Sequence, residues 1–297
     1  AVYIAMAMAR LITHAMIGLI ILGWTLSAHA VRYGASLNQA EWRLELSPFE
    51  CRMWQPVPYF GDAVFSNRAG EEQTFYLAPT RNVMKSGSAS LAATAPIWDE
   101  SRAAVDMGTV EIDGTSTPVK LGKKRAYQVL NELYDGMSPV FSRPSWFDDG
   151  EHVELLLSSV NFRKAYGQYR ECLASLLPVN FEQINRSRVQ FATAKFDLTG
   201  ASRTQLDHVV QYVKADLSVT GFFIDGHTDS VGRRLYNLEL SKKRAEAVTQ
   251  YLIDNGVDEA MITTRYHGER YPLTNNSNAE NREANRRVTL RLERGDI

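Results

Sequence analysis

Residues able to do chemistry concentrate in one stretch, Gly226-His227-Thr228-Asp229-Ser230-Val231-Gly232, followed by Tyr236-Asn237, Leu240-Ser241 and Arg244-Ala245. An apolar run, Val219–Ile224, precedes it and reads as a short buried strand ending at Asp225. Gly226 and Gly232 let the backbone turn sharply at the strand's C-terminal edge, where ligands gather in open α/β sheets. Asp229 can leave that edge as a carboxylate. Arg244, near the start of an expected helix Leu238–Asn255, can fold back toward the same edge. One acid and one guanidinium facing a cleft form a clamp for a zwitterion: the acid takes an ammonium group and the arginine takes a carboxylate in a bidentate fork that lysine cannot copy. An ordinary surface ion pair, contributing ~0–1 kcal/mol, uses the same residue types, and spacing alone leaves both readings open. Residues in a cleft rather than a core predict stability changes near ~0.5 kcal/mol on removal.

Catalysis has less support. Beyond the first thirty residues the histidines are His152, His208, His227 and His267, and no HExxH, GxSxG or paired-His spacing occurs. His227 and Asp229 are poorly placed to share an ion, because neighbouring strand-end residues point to different faces. No catalytic residue, metal or cofactor is expected.

The elements that must position the clamp are legible around it. Ser202–Asp216 places Leu206, Val209, Val210 and Val213 on one helical face. Leu238–Asn255 turns Ala245, Val248 and Leu252 inward and has Gly256 at its C-terminal end. Ile262–His267 and Arg287–Glu293 read as strands. Strands alternating with helices predict right-handed crossovers and a small α/β sandwich with helices on one side of the sheet.

This ordered set of motifs resembles the OmpA-like peptidoglycan-binding domain. The resemblance covers roughly residues 189–292: an entry strand with Phe191 and Leu198-Thr199, then GHTDSVG, YN, LS..RA, the late YHGERYP and the closing Asn285-Arg286-Arg287-Val288. It implies that Asp229 and Arg244 hold diaminopimelate of the cell-wall stem peptide. It also implies that Thr228, Asn237 and Leu240 line the same pocket, with Arg286 at the rim. The family often has Asn or Asp where this chain places Ala194.

The preceding half reads differently. Trp42, Leu44 and Leu46 alternate with Arg43 and Glu45, the period of a half-buried strand. Thr74–Leu77, Ala104–Ile112 and Val153–Val160 are further strand candidates. Arg125–Asp135 and Phe162–Leu177 read as amphipathic helices, with Cys172 beside the apolar stripe of the second. Pro56-Val57-Pro58-Tyr59-Phe60-Gly61 marks a Pro-braced turn, and a structural hairpin is the reading its pattern favours. The fold class expected is a two-domain α+β and α/β chain: a β-rich first domain with two helices, then an OmpA-like α/β sandwich.

The segment P.P.FGDAVFS.RA, the following Thr80-Arg81-Asn82-Val83, a Cys just before the first motif and a Cys in the last helix resemble the MotY family, T-ring proteins of the polar flagellar motor. That resemblance implies a periplasmic structural protein. Its first domain would join the basal-body ring with a MotX-like partner. Its second would hold peptidoglycan, so that the assembly helps keep stators around the rotor. The expected division is a signal peptide over 1–30, a motor-docking domain over 31–180 and a peptidoglycan-binding domain over 181–297.

Composition agrees with export of a globular protein. Arg10 precedes an uncharged apolar run, Leu11–Leu26, and Ala28-His29-Ala30 offers the small residues a signal peptidase needs. Two cysteines among 297 residues exclude a disulfide-dense scaffold or Cys-rich zinc site. In an oxidising compartment Cys51 and Cys172 become natural partners, two separate buried thiols being the alternative. A net charge of −1 gives nucleic-acid binding no support, though residues 186–297 carry +2 and residues 31–185 carry −4. Rival readings are an OmpA-like wall anchor unrelated to motility, a MotB-type stator, an outer-membrane barrel and a wall hydrolase. The stator reading needs an acid in the apolar run, which has none. The barrel reading needs many evenly spaced amphipathic strands.

Overall fold

The computed structural model of the protein describes residues 30–81, 86–96, 99, 101–144 and 152–295. The expected signal peptide, except Ala30, and Asn82-Val83 lie outside the described residues. The first half runs β1 (Ala30–Tyr33), β2 (Arg43–Leu46), β3 (Glu50–Val57), β4 (Gly61–Arg68), β5 (Thr74–Pro79), β6 (Gly87–Thr94), β7 (Val105–Ile112), β8 (Lys120–Leu121), α1 (Lys123–Tyr134), β9 (Ser138–Pro144), β10 (His152–Leu156) and α2 (Phe162–Ser175). These strands form two five-stranded sheets, ordered β1-β10-β9-β6-β7 and β2-β3-β4-β5-β8.

Period-two burial builds the second sheet: Cys51, Met53, Gln55 and Val57 of β3 all turn inward. The two sheets meet through aromatic rings. Phe75 of β5 stacks on Phe141 of β9 with ring centroids 5.6 Å apart, and Phe65 of β4 lies 4.8 Å from Phe75. Helix α2 adds Phe162, Ala165, Tyr169 and Cys172 at helical spacing to the same core. Cys172 is bonded to Cys51, with Cα atoms 6.0 Å apart, so the disulfide ties β3 to the last helix of this half. The buried Gln55 is satisfied by a distant stretch of backbone. Gln55 Nε2 donates to the Ser158 carbonyl at 3.0 Å, and its Oε1 accepts from Ser158 N at 2.8 Å. This inward turn is where the expected strand Val153–Val160 stops short, at Leu156.

The second half continues with α3 (Phe181–Ile184), β11 (Arg186–Gln190), α4 (Gly200–Ala215), β12 (Val219–Gly226), α5 (Arg234–Asp254), a 3₁₀ turn (Glu259–Met261), β13 (Ile262–Tyr266), α6 (Ala279–Asn285) and β14 (Arg287–Arg294). The sheet order is β11-β14-β12-β13, with β12 and β13 parallel across the α5 crossover. Thr199 caps α4 by accepting from Ser202 N, and Leu206, Val209 and Val210 face the sheet beside Ala245, Val248 and Leu252 of α5. Both fold classes are as expected, with three corrections. The entry strand β11 ends at Gln190, so Phe191 and Leu198-Thr199 lie in the loop after it. Helix α5 begins at Arg234, four residues earlier than the sequence pattern suggests. Its N-cap, Arg233, makes no side-chain capping bond, so the usual start signal is missing. Helix α6, unanticipated, is opened by Asn278, which accepts from Asn281 N.

The halves touch at the linker. Asn180 and Gln183 form a capping box around α3, and Gln183 Nε2 also donates to the Gly70 carbonyl at 3.0 Å. Phe49 packs on Tyr212 of α4 with centroids 5.3 Å apart, and Leu177 N donates to the Pro48 carbonyl.

Candidate functional site

The site forms where β12 ends and α5 crosses it. Gly226 makes that crossing possible: a Cβ there would sit 2.1 Å from the Ser241 carbonyl oxygen of α5. Close packing at Ser241 brings Arg244, one turn on, beneath the loop that leaves β12. Its guanidinium is 0% exposed. Nε donates to the Lys195 carbonyl at 2.8 Å, Nη1 to the His227 carbonyl at 3.0 Å and Nη2 to the Ala192 carbonyl at 3.0 Å. The Phe191 ring stacks against it, 5.3 Å from Cζ. Arg244 therefore joins three elements: α5, the loop after β11 and the loop after β12. Burial lowers its pKa to about 10, opposed by the nearby Asp229 carboxylate, so it stays charged at neutral pH.

This corrects the sequence reading in two respects. Arg244 lies at mid-helix in a packed interior, not near a helix start facing an open cleft. The ion-pair partner of Asp229 is Arg286, expected only at the rim: Arg286 Nη1 reaches Asp229 Oδ2 at 3.1 Å, and Arg286 Nε donates to the Phe191 carbonyl at 3.2 Å. Asp229 also accepts from Val231 N at 3.1 Å. The pair is largely buried, with the Asp229 side chain 9% and the Arg286 side chain 14% exposed.

The remaining expected residues gather around it. Asn237 is buried, and its Nδ2 donates to the Asp229 carbonyl at 3.3 Å and to Glu269 Oε2 at 2.6 Å. Thr228 N donates to the Gly268 carbonyl, while its buried Oγ1 has no partner among the described residues. Leu240 is buried on α5, one turn before Arg244. Four contributors escaped the sequence reading: Phe191 as a stacking surface, the Ala192 and Lys195 carbonyls, and Glu269. Glu269 lay within the quoted YHGERYP motif but carried no pairing signal. Asn285 closes the floor, accepting from Leu273 N and Thr274 N through Oδ1.

His227 is the last titratable group here. It is buried, stacked on His267 with ring centroids 5.1 Å apart, and its Nδ1 is unpartnered. Burial first, then the charge of Arg287, pushes its pKa down to about 4, so it is neutral near pH 7. Among the described residues no cluster of His, Cys, Asp and Glu is arranged to hold a metal ion. The arrangement presents an acid, two guanidiniums, a second acid at Glu269 and no activated nucleophile, the equipment of a binding site for a group bearing both charges.

Comparison with known proteins agrees with both halves. Residues 33–178 match the MotY N-terminal domain, and residues 190–286 match the OmpA family. Outer membrane protein A of Bordetella avium is 37% identical over 98 residues, covering 33% of this chain and 50% of that protein. The crystal structure of the peptidoglycan-associated lipoprotein from Burkholderia pseudomallei shares 29% identity over 36% of this chain and 89% of its own, with a TM-score of 0.34. The sodium-type flagellar protein MotY of Vibrio parahaemolyticus is 30% identical over 273 residues, which cover 90% of this chain and 92% of that one. With likeness running through both halves in the same order, the chain belongs to the MotY family.

Proposed function

We propose that the protein is a structural component of the flagellar motor, held to the cell wall through residues 181–297 and to the basal body through residues 31–180. In this reading it works in the periplasm as part of the T ring, beside a MotX-like partner, and helps retain stators around the rotor. It is an anchor rather than an enzyme. The observation that carries the wall-binding half is the Asp229–Arg244–Arg286 constellation. Arg244 spends three of its five N–H groups on carbonyls, which leaves one on each terminal nitrogen. Those two form a fork for a carboxylate. Asp229 takes the ammonium of the same ligand, diaminopimelate of the stem peptide. Arg286, bonded to Asp229, is the group the ligand displaces. Thr228 Oγ1 and Asn237 complete the wall of the pocket.

The test is co-sedimentation with purified sacculi. Asp229→Asn and Arg244→Lys keep size or charge and remove the pairing, so both are expected to stay folded and remain in the supernatant. A folded Arg244→Lys protein that pellets like the parent would reject the fork. The docking half is tested by localising a fluorescent fusion. Residues 31–180 are expected to direct it to the flagellar base with Asp229→Asn in place.

A further inference from the structure

Among the described residues the sheet of the second half has helices on one face. On the other, strand alternation brings together Arg186 and Arg188 of β11, Arg287 and Arg291 of β14, and Arg265 of β13, around Phe223 and Asp225 of β12. Among the described residues Asp225 and Glu293 are the carboxylates on this face, paired with Arg265 and Arg291, against five guanidiniums. Arg186 stands directly opposite Arg291, and Arg188 opposite Thr289, next to Arg287. Like charges placed opposite one another destabilise a sheet. Burial first, and then the charge of Arg188, lowers the pKa of Arg287.

The arginines are held in place. Arg291 and Arg265 stack on the Phe223 ring at 4.4 and 5.2 Å, and Asp225 accepts both Nε and Nη2 of Arg265. Among the described residues Arg186 and Arg188 have no ion-pair partner, and both are exposed. A cleft of about 280 Å³ lies between these side chains, lined by Arg186, Arg188, Asp225, Arg265, Thr289 and Arg291. Charges on β11 alone could serve to discourage edge pairing. That purpose does not extend to Arg287 and Arg291, which lie on an inner strand.

We propose that this face binds an extended, Asp/Glu-rich segment of a partner protein, separately from the wall-binding site. The pitch fits: same-face residues of an extended chain recur every ~6.6–6.8 Å, the spacing of Arg186 and Arg188 along β11. The topology fits as well. β11 is an edge strand, so a segment laid beside it gains backbone pairing while alternate carboxylates meet guanidiniums. A lipid surface fits less well. Phe223 is half-buried between two guanidiniums, and among the described residues the face offers no exposed apolar side chains to enter the acyl boundary.

The experiment uses the full exported chain and a fluorescein-labelled peptide of alternating Glu and Thr, followed by anisotropy at low salt. Binding is expected to weaken about tenfold or more in R186E/R291E, and by no more than about twofold in K242E/K243E, which makes the same charge change on α5. Retained sacculus binding by R186E/R291E shows that the variant is folded. The proposal is overturned if the peptide does not bind or if the two double variants lose binding equally. It is also overturned if inorganic phosphate or anionic phospholipid vesicles are held through Arg186 and Arg291 while the peptide is not. Salt-sensitive self-association abolished by R186E/R291E would assign the face to a second copy and overturn it too.

Discussion

The two halves of this protein solve burial in opposite ways. Around Phe65, Phe75 and Phe141 the first half buries aromatic and aliphatic side chains, and among the described residues Arg143 is its buried charged side chain. The second half buries His227 and Asp229 in the loop after β12, Arg244 on α5 and Arg287 on β14. Desolvating charge is costly unless partners are supplied. In the second half they come from carbonyls and from Arg286. The first half is closed by a covalent bond instead. The proposed roles account for the difference: a docking surface keeps charge outside, and a wall-binding pocket holds its own in reserve.

The largest effect expected from this contrast concerns the disulfide. It closes a loop of 121 positions, and its loss removes ~4–5 kcal/mol in the chain-entropy model. Cys51→Ala with Cys172→Ala should lower the urea midpoint of the first half strongly, with sacculus binding by the second half unchanged. Equal destabilisation of both halves would break the comparison, and would mean that the Phe49–Tyr212 and Gln183–Gly70 contacts weld them into one cooperative unit.

Next is Arg244→Ala. Three carbonyls lose their donor and a buried volume opens, so the cost should be about 3 kcal/mol or more, far above the ~0.5 kcal/mol of a cleft residue. Arg244→Lys should recover part of the stability and none of the sacculus binding. A thermal melt of each variant beside co-sedimentation separates the structural from the recognition role.

These outcomes bear on what the sequence could disclose. Helix α2 was legible because Phe162, Tyr166, Tyr169 and Leu173 recur at helical spacing. The β3–β4 hairpin was legible from its Pro-Tyr-Phe-Gly turn. Strand β6 was not, because Gly87–Thr94 is mostly Ser and Ala and its burial depends on neighbours. The residues of the site were named from ordered motifs, but their partners were not. Asp229 and Arg286 lie far apart in the chain and meet only through the β12–β14 pairing. The depth of Arg244 depended on a helix start that no side chain caps.

A smaller effect follows from His227. Its folded pKa, about 4, is below the ordinary 6.5. The unfolded chain therefore binds the extra proton first as pH falls, and stability present above pH 6.5 is lost progressively down to about 4. Facing it are Arg287 of β14, His267 after β13 and Asp225 of β12. Melts across that window should show the second half weakening before the first, and His227→Gln should flatten the slope. An unchanged slope would remove His227 from the account.

The smallest effect lies in the backbone, where each half holds a strained residue at a tip. Tyr59, at the β3–β4 turn, has φ 63° and is 97% exposed; Ala194, in the loop pinned by Arg244, has φ 56°. Left-handed backbone costs an L-residue with a Cβ roughly 1 kcal/mol relative to glycine. Asn also tolerates it, which is a conformational reason for the Asn or Asp that the OmpA-like family often has at the Ala194 position. Ala194→Gly and Tyr59→Gly should each stabilise the chain by about 0.5–1 kcal/mol, since the native conformation is already one glycine adopts. The functional outcomes should then divide. Ala194 is exposed, and the loop is held through the Ala192 and Lys195 carbonyls, so Ala194→Gly should leave sacculus binding intact. Tyr59 offers a bulky aromatic ring to solvent in a conformation that disfavours it, a cost that docking in the motor would offset. Tyr59→Gly should therefore yield a more stable protein that binds sacculi normally and localises poorly at the flagellar base. A Tyr59→Gly protein that localises and restores swimming like the parent would leave the strain at that turn without a function.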